Sequence, residues 1–230
     1  MHLIVNADDY GYTKSVSDGI VYGHKNGIIS STTVMCNMPY VEYGCSLAKE
    51  CPNLGFGVHL NLTVGQPLTD NKTLCDTNGN FLDKVTIRKT QIDRDELYGE
   101  WKAQIEKFIS VFKQLPTHLD SHHSVHDFNE FQLDVSSQLA NEYGIPMRRY
   151  SDYAFSMGFF GDSVSVRSLM QLLENNRNDK LELMVHPGFC DLELYRDSSY
   201  NFGRVKELDV LCDSDILEYV NKKGIVLEHY

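Results

Sequence analysis

Residues 3–9 read Leu-Ile-Val-Asn-Ala-Asp-Asp, an apolar run followed two positions later by an acidic pair. The run from Leu3 to Val5 is typical of a short buried strand, and the chain from about Thr13 to near Gly27 has the pattern of a helix. This succession of an apolar run and a helical stretch recurs along the chain. The alternation predicts a mainly parallel sheet with helices outside it, although periodicity alone leaves open whether the sheet closes into a barrel.

The other predicted elements follow the same pattern. Apolar or β-branched runs predict strands at 31–35, 56–60, 117–120, 146–148, 181–185 and 225–227, and helical patterns cover about 41–49, 97–112, 129–143, 168–173 and 216–222. The clearest helix is 97–112, where Leu97, Trp101 and Phe108 belong to an apolar stripe with three- and four-residue steps. Residues 64–90 lack such periodicity and are expected to form a long loop, a kind of segment that often carries function.

Length and composition favour one domain. A chain of 230 residues, of which 42% are hydrophobic and 23% charged, can bury a substantial core. No repeat, low-complexity tract or Pro/Ser-rich linker interrupts the chain, so we expect a single domain over residues 1–230.

Charge and hydropathy exclude several classes of protein. The chain has 21 basic and 32 acidic residues and a net charge of −11. Such a surface repels phosphate backbones, so a nucleic-acid partner is not expected. No apolar run is long enough for a membrane-spanning helix. Residues 1–9 lack the basic start and the longer apolar stretch of a signal peptide, so we expect a cytoplasmic location.

The cysteines form no recognisable framework. They are scattered, without a Cys-x-x-Cys pair, at Cys36, Cys45, Cys51, Cys75, Cys190 and Cys212. In a reducing compartment such residues are expected to be free and mostly buried thiols.

Ionisable residues stand at or just after the end of four predicted strands. They are the pair Asp8-Asp9, His59, the cluster of His122, His123 and His126, and His186. In a parallel α/β sheet the carboxyl ends of the strands lie at one edge, where binding and catalytic sites are built. These residues are therefore expected to converge on one site, although some are more than a hundred positions apart.

Each group taken alone also has a structural explanation. An acidic pair after a strand is often a turn or a helix cap, and a histidine in an apolar run, such as His59, is often a hydrogen-bonded core residue. His186 precedes Pro187-Gly188 and could fix a turn. His122 and His126 are four residues apart and could chelate a metal from one helix face, but no Glu follows His122, which excludes a zincin motif. The coincidence of all four groups at strand ends favours a site.

The residue types in these groups suit metal-assisted hydrolysis. Neutral imidazoles and a carboxylate can bind a divalent cation and leave positions open for water and substrate. A further carboxylate and a further histidine supply a base and an acid. The sequence lacks the Gly-x-Ser-x-Gly elbow, the phosphate-binding Gly-x-x-x-x-Gly-Lys loop and the Gly-x-Gly-x-x-Gly fingerprint, so the competing chemistries have no support.

Four segments resemble the motifs of the YdjC-like carbohydrate deacetylases, a family that includes the chitooligosaccharide deacetylases. They read Ile-Val-Asn-Ala-Asp-Asp-Tyr-Gly at 4–11, Gly-Val-His-Leu-Asn-Leu-Thr at 57–63, Pro-Thr-His-Leu-Asp-Ser-His-His at 116–123 and Met-Val-His-Pro-Gly-Phe at 184–189. Residues 207–211, Glu-Leu-Asp-Val-Leu, also resemble the closing segment of the family. The order and spacing of the motifs argue against a chance similarity.

The resemblance implies an irregular, TIM-barrel-like (β/α) barrel that removes N-acetyl groups from small acetylated amino sugars or chitooligosaccharides and releases acetate. It also implies a divalent metal, usually written as magnesium, and often a homodimer. Imidazole ligands suit zinc, cobalt or nickel better than the oxygen-seeking magnesium ion, so the residues favour a divalent cation without fixing its identity. No membrane partner is expected.

Carried over to this chain, the resemblance assigns roles to five residues. It implies Asp9, His59 and His122 as metal ligands, Asp8 as the catalytic base and His186 as the histidine that protonates the leaving amine. The base and the acid distinguish an enzyme from a protein that only binds metal, because metal binding alone needs neither.

The remaining candidate residues concern the substrate. The third motif of the family often has three consecutive histidines, but here Ser124 replaces the last. The replacement leaves His122 intact and affects only outer or substrate contacts, for which His123 and His126 are candidates. Arg148 is placed either to help hold the oxyanion or to pair a structural carboxylate.

Two other functions stay open at this point. One is a metal-dependent hydrolase or isomerase that uses another small substrate on the same kind of barrel. The other is a non-catalytic sugar-binding protein that keeps a metal site. Release of acetate from an acetylated sugar separates the deacetylase from both.

A reducing agent should leave the melting temperature of the protein essentially unchanged, because the cysteines are expected to form no cross-link that constrains the unfolded chain. Thermal unfolding followed by circular dichroism, with and without the reductant, checks this. A fall of several degrees on reduction would show that the cysteines had been misread.

Overall fold

Seven parallel strands form the centre of the fold in a computed structural model that describes residues 1–230. The strands are β1 (His2–Tyr10), β2 (Ser31–Val34), β3 (Gly55–Leu60), β4 (Leu119–Ser121), β5 (Ala154–Ser156), β6 (Lys180–Val185) and β7 (Val226–Leu227). Their order in the sheet is β4-β3-β2-β1-β6-β5, and β7 pairs with the first two residues of β1. All pairings are parallel, as the alternation of strands and helices predicts.

β1 is the central strand, and this position explains its composition. Residues 3–10 are all buried, because β1 pairs with β2 on one side and β6 on the other while helices cover the sheet. Apolar residues fill the first half of the strand. Asn6, Asp8 and Asp9 are buried polar residues in its second half. Polar groups in such a place need specific partners, which the site supplies.

The sheet curls into a half-barrel, and one irregular segment touches both of its edges. Met147 forms a parallel bridge with Leu119 of β4 at one edge. Further along the same segment, Ala154–Ser156 forms β5 and pairs with β6 at the other edge. The expectation of an irregular (β/α) barrel with mainly parallel strands is therefore confirmed.

The strand predicted at 146–148 is wrong in its extent. The chain makes only the single bridge at Met147, and the regular strand begins later, at Ala154. The backbone of Arg149 adopts φ 68°, in the left-handed region, which is incompatible with a continuing strand. This turn follows Arg148, whose side chain enters the barrel interior.

Eight α-helices surround the sheet. They are α1 (Lys14–Asn26), α2 (Val41–Ala48), α3 (Arg94–Phe112), α4 (Glu130–Tyr143), α5 (Val166–Asn175), α6 (Leu192–Asp197), α7 (Phe202–Leu211) and α8 (Ser214–Lys222). Capping residues determine where several of these helices begin and end. The Thr13 hydroxyl accepts the Val16 N–H at the start of α1, and α4 ends at Gly144, which adopts φ 64°. None of the helices combines the length and the apolar composition that crossing a membrane requires.

Helices α6 and α7 are absent from the sequence-based prediction. The reason is clearest for α7, whose buried face includes Arg204 and Glu207 beside Leu208 and Leu211. A helix that turns charged residues towards the interior has no continuous apolar stripe, so hydrophobic periodicity does not reveal it.

Helix α3 connects the core to the long loop at 64–90. Its predicted apolar stripe is buried, with Trp101 and Phe108 fully inaccessible to solvent. The same helix buries Glu100, whose carboxylate accepts the backbone N–H groups of Leu68 and Thr69. The loop contains one turn of 3-10 helix and an isolated antiparallel bridge between Cys75 and Phe81, and these contacts with Glu100 anchor it to α3.

All six cysteines are free. Cys36 and Cys51 are buried, and the other four are partly exposed, so fewer are buried than expected.

Helix α1 packs tightly against the turn that follows β6. The Phe189 N–H donates to the carbonyl of Ser15 in the first turn of α1, at 3.1 Å. A Cβ atom at Gly19 would lie 2.5 Å from the Phe189 nitrogen and 2.6 Å from the Gly188 Cα. Glycine is required here because both clashing atoms belong to the backbone and cannot rotate away. This turn begins at His186, so the packing also fixes one wall of the site.

Substituting Gly19→Ala should therefore lower the free energy of unfolding by about 1–3 kcal/mol, because the added methyl forces the helix and the turn apart. Thermal or urea unfolding of the purified variant measures this change.

Gly99→Ala is the matched control, since it lies in α3 and a Cβ there meets no atom within 4 Å. This control should keep or raise the stability through helix propensity. Equal melting temperatures for the two variants would contradict the packing argument.

Candidate metal centre and active site

The five principal residues predicted from the sequence line one cleft. Asp8 and Asp9 lie near the end of β1, His59 lies on β3, His122 follows β4 and His186 follows β6. The cleft has a volume of about 570 Å³ and opens at the carboxyl edge of the sheet. Because the carboxyl ends of parallel strands lie at one edge of the sheet, side chains that are far apart in the sequence meet in this cleft, as expected from their positions at strand ends.

Three of these residues aim ligand atoms at one another. Asp9 Oδ1 lies 2.8 Å from His122 Nδ1 and 3.3 Å from His59 Nε2, and the three donor atoms all lie within 4.8 Å of one another. One carboxylate and two imidazoles form a donor set that zinc, cobalt or nickel accepts readily.

Asp9 reaches this position through an unusual backbone conformation. Its φ of 72° is in the left-handed region, which is unfavourable for a residue with a side chain. Arg204 Nη2 donates to Asp9 Oδ2 at 2.6 Å and holds the carboxylate in place. Burial alone would raise the pKa of the Asp9 carboxyl, but His122 and Arg204 outweigh it and hold the pKa well below its usual range. Asp9 is therefore kept as a charged carboxylate.

His59 is oriented by a second carboxylate behind it. Its Nδ1 lies 2.6 Å from Asp120 Oδ1, so Nε2 is left to face Asp9. Burial lowers the pKa of His59, but the negative charges of Asp120 and Asp8 outweigh it and raise the pKa to about 10. A histidine whose second ring nitrogen is bound to a carboxylate is the usual arrangement behind a metal ligand. The residues present therefore fit a divalent cation between Asp9, His59 and His122.

A second set of donor atoms is less suited to a metal. Asp8, His59 and Asp120 also come within 4.8 Å of one another. However, Arg148 Nη2 lies 2.7 Å from Asp8 Oδ1 and 2.9 Å from Asp120 Oδ2, so a positive charge already occupies the space between these carboxylates. Like charges repel strongly in a buried site, which favours the set that contains Asp9.

Asp8 keeps one oxygen available for a proton. Its Oδ1 accepts from Asn6 Nδ2 at 2.9 Å and from Arg148 Nη2 at 2.7 Å, which uses both lone pairs of that oxygen. Its Oδ2 accepts from Arg148 Nη1 at 2.9 Å and retains a free lone pair. The Nε2 atoms of His59 and His186 each lie 4.0 Å from this Oδ2. A carboxylate lone pair therefore faces the space between the Asp9-His59-His122 cluster and His186.

Arg148 pairs carboxylates inside the barrel and does not line the cleft. It is 2% exposed, and besides Asp8 and Asp120 it donates from Nε to Glu182 Oε1 at 2.6 Å. Burial raises the pKa of Glu182, although the charge of Arg148 opposes this. Of the two roles expected for Arg148, the structure places it in position for pairing a structural carboxylate.

His186 is held by a residue that the sequence analysis missed. Its backbone N–H donates to Glu207 Oε2, and the Tyr200 hydroxyl donates to Glu207 Oε1. Burial raises the pKa of Glu207 to about 7 and lowers the pKa of His186 to about 4. The His186 ring is therefore neutral near pH 7 in this arrangement. Arg204 and Glu207 lie on α7, which periodicity does not reveal, and Tyr200 lies on the turn before it. Glu207 nevertheless belongs to the closing segment of the family resemblance.

The two remaining histidines of the third motif lie in different environments. His123 lines the cleft, and its Nδ1 lies 2.9 Å from the Thr63 hydroxyl. His126 is 1% exposed, bonds to Ser121 and does not line the cleft. Residues 122–127 form 3-10 turns broken by positive φ at His123 and Ser124, so His122 and His126 do not share an α-helical face. His122 and His126 therefore do not form an i, i+4 pair that could chelate a metal ion.

The fold and the donor set define a (β/α)-barrel protein with a carboxylate–histidine centre at the strand ends. A family model described as YdjC-like protein matches residues 2–222. The chain belongs to this family.

Relatives cover almost the whole chain. A protein of Clostridium beijerinckii named carbohydrate deacetylase is 40% identical and aligns with 100% of this chain and 99% of its own length. A Proteus mirabilis protein named chitooligosaccharide deacetylase is 34% identical, with 99% and 97% covered. A crystal structure from Enterococcus faecalis, described as a candidate cellobiose-phosphate cleavage protein, has a TM-score of 0.94 and 31% identity, covering 100% of this chain and 97% of that one.

The two neighbouring aspartates should differ in metal binding. Asp9→Asn should weaken the binding of Zn²⁺ or Co²⁺ strongly, because it removes the charged donor that faces His59 and His122. Asp8→Asn should change metal affinity little, since Arg148 and Asn6 occupy that carboxylate. Isothermal titration calorimetry of both variants measures the difference, with the surface variant Asp134→Asn as the matched control. Equal loss of metal affinity in the Asp8 and Asp9 variants would overturn this division of roles.

Proposed function

We propose that this protein hydrolyses the N-acetyl group of acetylated amino sugars or chitooligosaccharides and releases acetate. The observation that carries the proposal is the meeting, in one cleft, of the Asp9-His59-His122 donor set with a free carboxylate oxygen of Asp8 and the imidazole of His186. Metal-assisted hydrolysis of an amide uses a bound cation to polarise the carbonyl, a base to take the water proton and an acid to protonate the leaving nitrogen. The relatives named carbohydrate deacetylase and chitooligosaccharide deacetylase support the same reaction.

Asp9, His59 and His122 would hold the divalent cation. When bound, the cation supplies Lewis-acid polarisation of the amide carbonyl and lowers the pKa of water. The donor set favours zinc, cobalt or nickel over magnesium, because two of its three atoms are imidazole nitrogens. Asp120 keeps the His59 ring turned towards this position.

Asp8 Oδ2 takes the proton of the attacking water. Its carboxylate is fixed by the two-pronged contact with Arg148, so the free lone pair points in a constant direction.

His186 delivers the proton that the leaving nitrogen requires. The ring is neutral at rest because burial lowers its pKa to about 4. Its Nε2 lies 4.0 Å from Asp8 Oδ2, so the proton taken from water can reach His186 and then the amine. Water supplies one proton to the sugar nitrogen and a hydroxyl group to the acetyl carbon as the carbon–nitrogen bond breaks. The acetic acid formed then loses its proton to the free amine or to solvent and leaves as acetate.

The test is the joint measurement of acetate and new reducing ends after incubation with metal and N,N′-diacetylchitobiose. Deacetylation should release acetate without new reducing ends. New reducing ends without acetate would indicate cleavage of the glycosidic bond, and the absence of both would favour a sugar-binding protein. Either result contradicts the proposal.

Substitution of the two proton-transfer residues should reduce turnover without removing the metal. Asp8→Asn should lose about 10²–10⁴-fold in kcat, because an amide cannot accept the water proton. His186→Ala should lose a similar factor, and its defect should shrink for acetamides with better leaving groups. Steady-state acetate release measures both effects.

The surface variants Asp134→Asn and His2→Ala are the matched controls, since both residues lie outside the cleft. Wild-type kcat in the Asp8 variant, with metal bound, would show that another group is the base.

A further inference from the structure

One large aromatic side chain in the cleft is exposed on one face while neighbouring rings pack against it. Phe160, on the loop after β5, is 46% exposed and lines the cleft beside Met157 and Tyr200. What distinguishes Phe160 from other exposed aromatic residues is that its ring faces a cleft of ligand size, where apolar surface is available to a bound molecule. The ring lies on the wall next to His186, with the two ring centroids 5.4 Å apart.

The ring of Phe160 is held rigidly from behind. It stacks on Tyr200 with centroids 4.3 Å apart and an angle of 22° between the planes. The Tyr200 hydroxyl accepts from the Gly161 N–H at 3.1 Å and donates to Glu207. One buried carboxylate thus fixes both the backbone of His186 and the aromatic pair. A preorganised aromatic surface binds a ligand with little loss of conformational entropy.

The chemistry of a pyranose ring matches this wall. A sugar ring carries C–H groups on its faces and hydroxyl groups at its edge, so an aromatic ring can cover one face while polar groups meet the edge. Asp197, Ser198 and Ser199 line the same cleft and offer such polar groups. A cleft of about 570 Å³ is in the range that holds small ligands.

We propose that the exposed face of Phe160 is a stacking platform for the pyranose ring that carries the scissile acetamide, and that Tyr200 and Glu207 hold this platform in register with His186. The inference rests on the proposed deacetylase function and names the part of the substrate that this wall recognises. The platform selects cyclic sugars over open-chain acetamides, because only a ring covers the aromatic face.

The test compares two substrates in wild type and Phe160→Ala. With N,N′-diacetylchitobiose, the variant should lose about tenfold in kcat/KM, mostly through a higher KM, because the stacking surface is gone. With N-acetylethanolamine, an open-chain acetamide, kcat/KM should be unchanged. Phe160→Trp should retain the preference for the sugar. Phe202→Ala is the matched control, since Phe202 is exposed but lies outside the cleft, and it should behave as wild type on both substrates.

The other outcomes separate the two hypotheses. Equal losses on both substrates would overturn the platform, since Phe160 would then act only by supporting His186. Unchanged kinetics on both would overturn it as well.

Calorimetric binding of the deacetylated amino-sugar disaccharide provides a readout that does not need turnover. Phe160→Ala should weaken this binding about tenfold, and binding that is unchanged would overturn the platform. If the wild type releases no acetate but binds the sugar in a Phe160-dependent way, the proposed function fails and the platform stands.

Discussion

The buried guanidinium of Arg148 is the interaction on which both the barrel and its site depend. It contacts carboxylates from three strands, Asp8 of β1, Asp120 of β4 and Glu182 of β6. Three carboxylates could not be buried this close together without a cation among them, because each would lose its hydration without a compensating charge. Arg148 also lies on the irregular segment that meets both edges of the sheet. The same segment therefore bridges the two edges of the half-barrel and aligns the Asp8 carboxylate.

The charges of the site are arranged in two halves around His59. On one side Asp120 and Arg148 fix the ring and the neighbouring carboxylates, and on the other Asp9 faces the cleft with Arg204 behind it. Each aspartate of the Asp8-Asp9 pair thus has its own arginine. The left-handed backbone of Asp9 turns its side chain to a different partner from that of Asp8. Two identical adjacent residues can perform different tasks because their partners differ.

The sequence predicts the part of the site that lies at the carboxyl ends of the strands. Position at a strand end indicates that Asp9, His59 and His122 converge, because a parallel sheet collects its carboxyl ends at one edge. The same reasoning does not predict Arg204 and Glu207. They lie on α7, whose inward face carries charged residues, so its hydrophobic pattern is not that of an amphipathic helix. The turn at Arg149 is not predicted either, because a residue other than glycine that adopts a positive φ cannot be recognised from its type alone.

The segment that meets both edges of the half-barrel has a consequence for association between molecules. An open sheet normally presents unpaired backbone groups along its outer strands, and these can pair with another chain. Here one outer strand, β4, is met by the backbone of residues 146–148, and the other, β5, is only three residues long. A partner chain would find too short a row of donors and acceptors to extend the sheet. The irregular segment that delivers Arg148 to the interior therefore also leaves few unpaired backbone groups along β4 and β5.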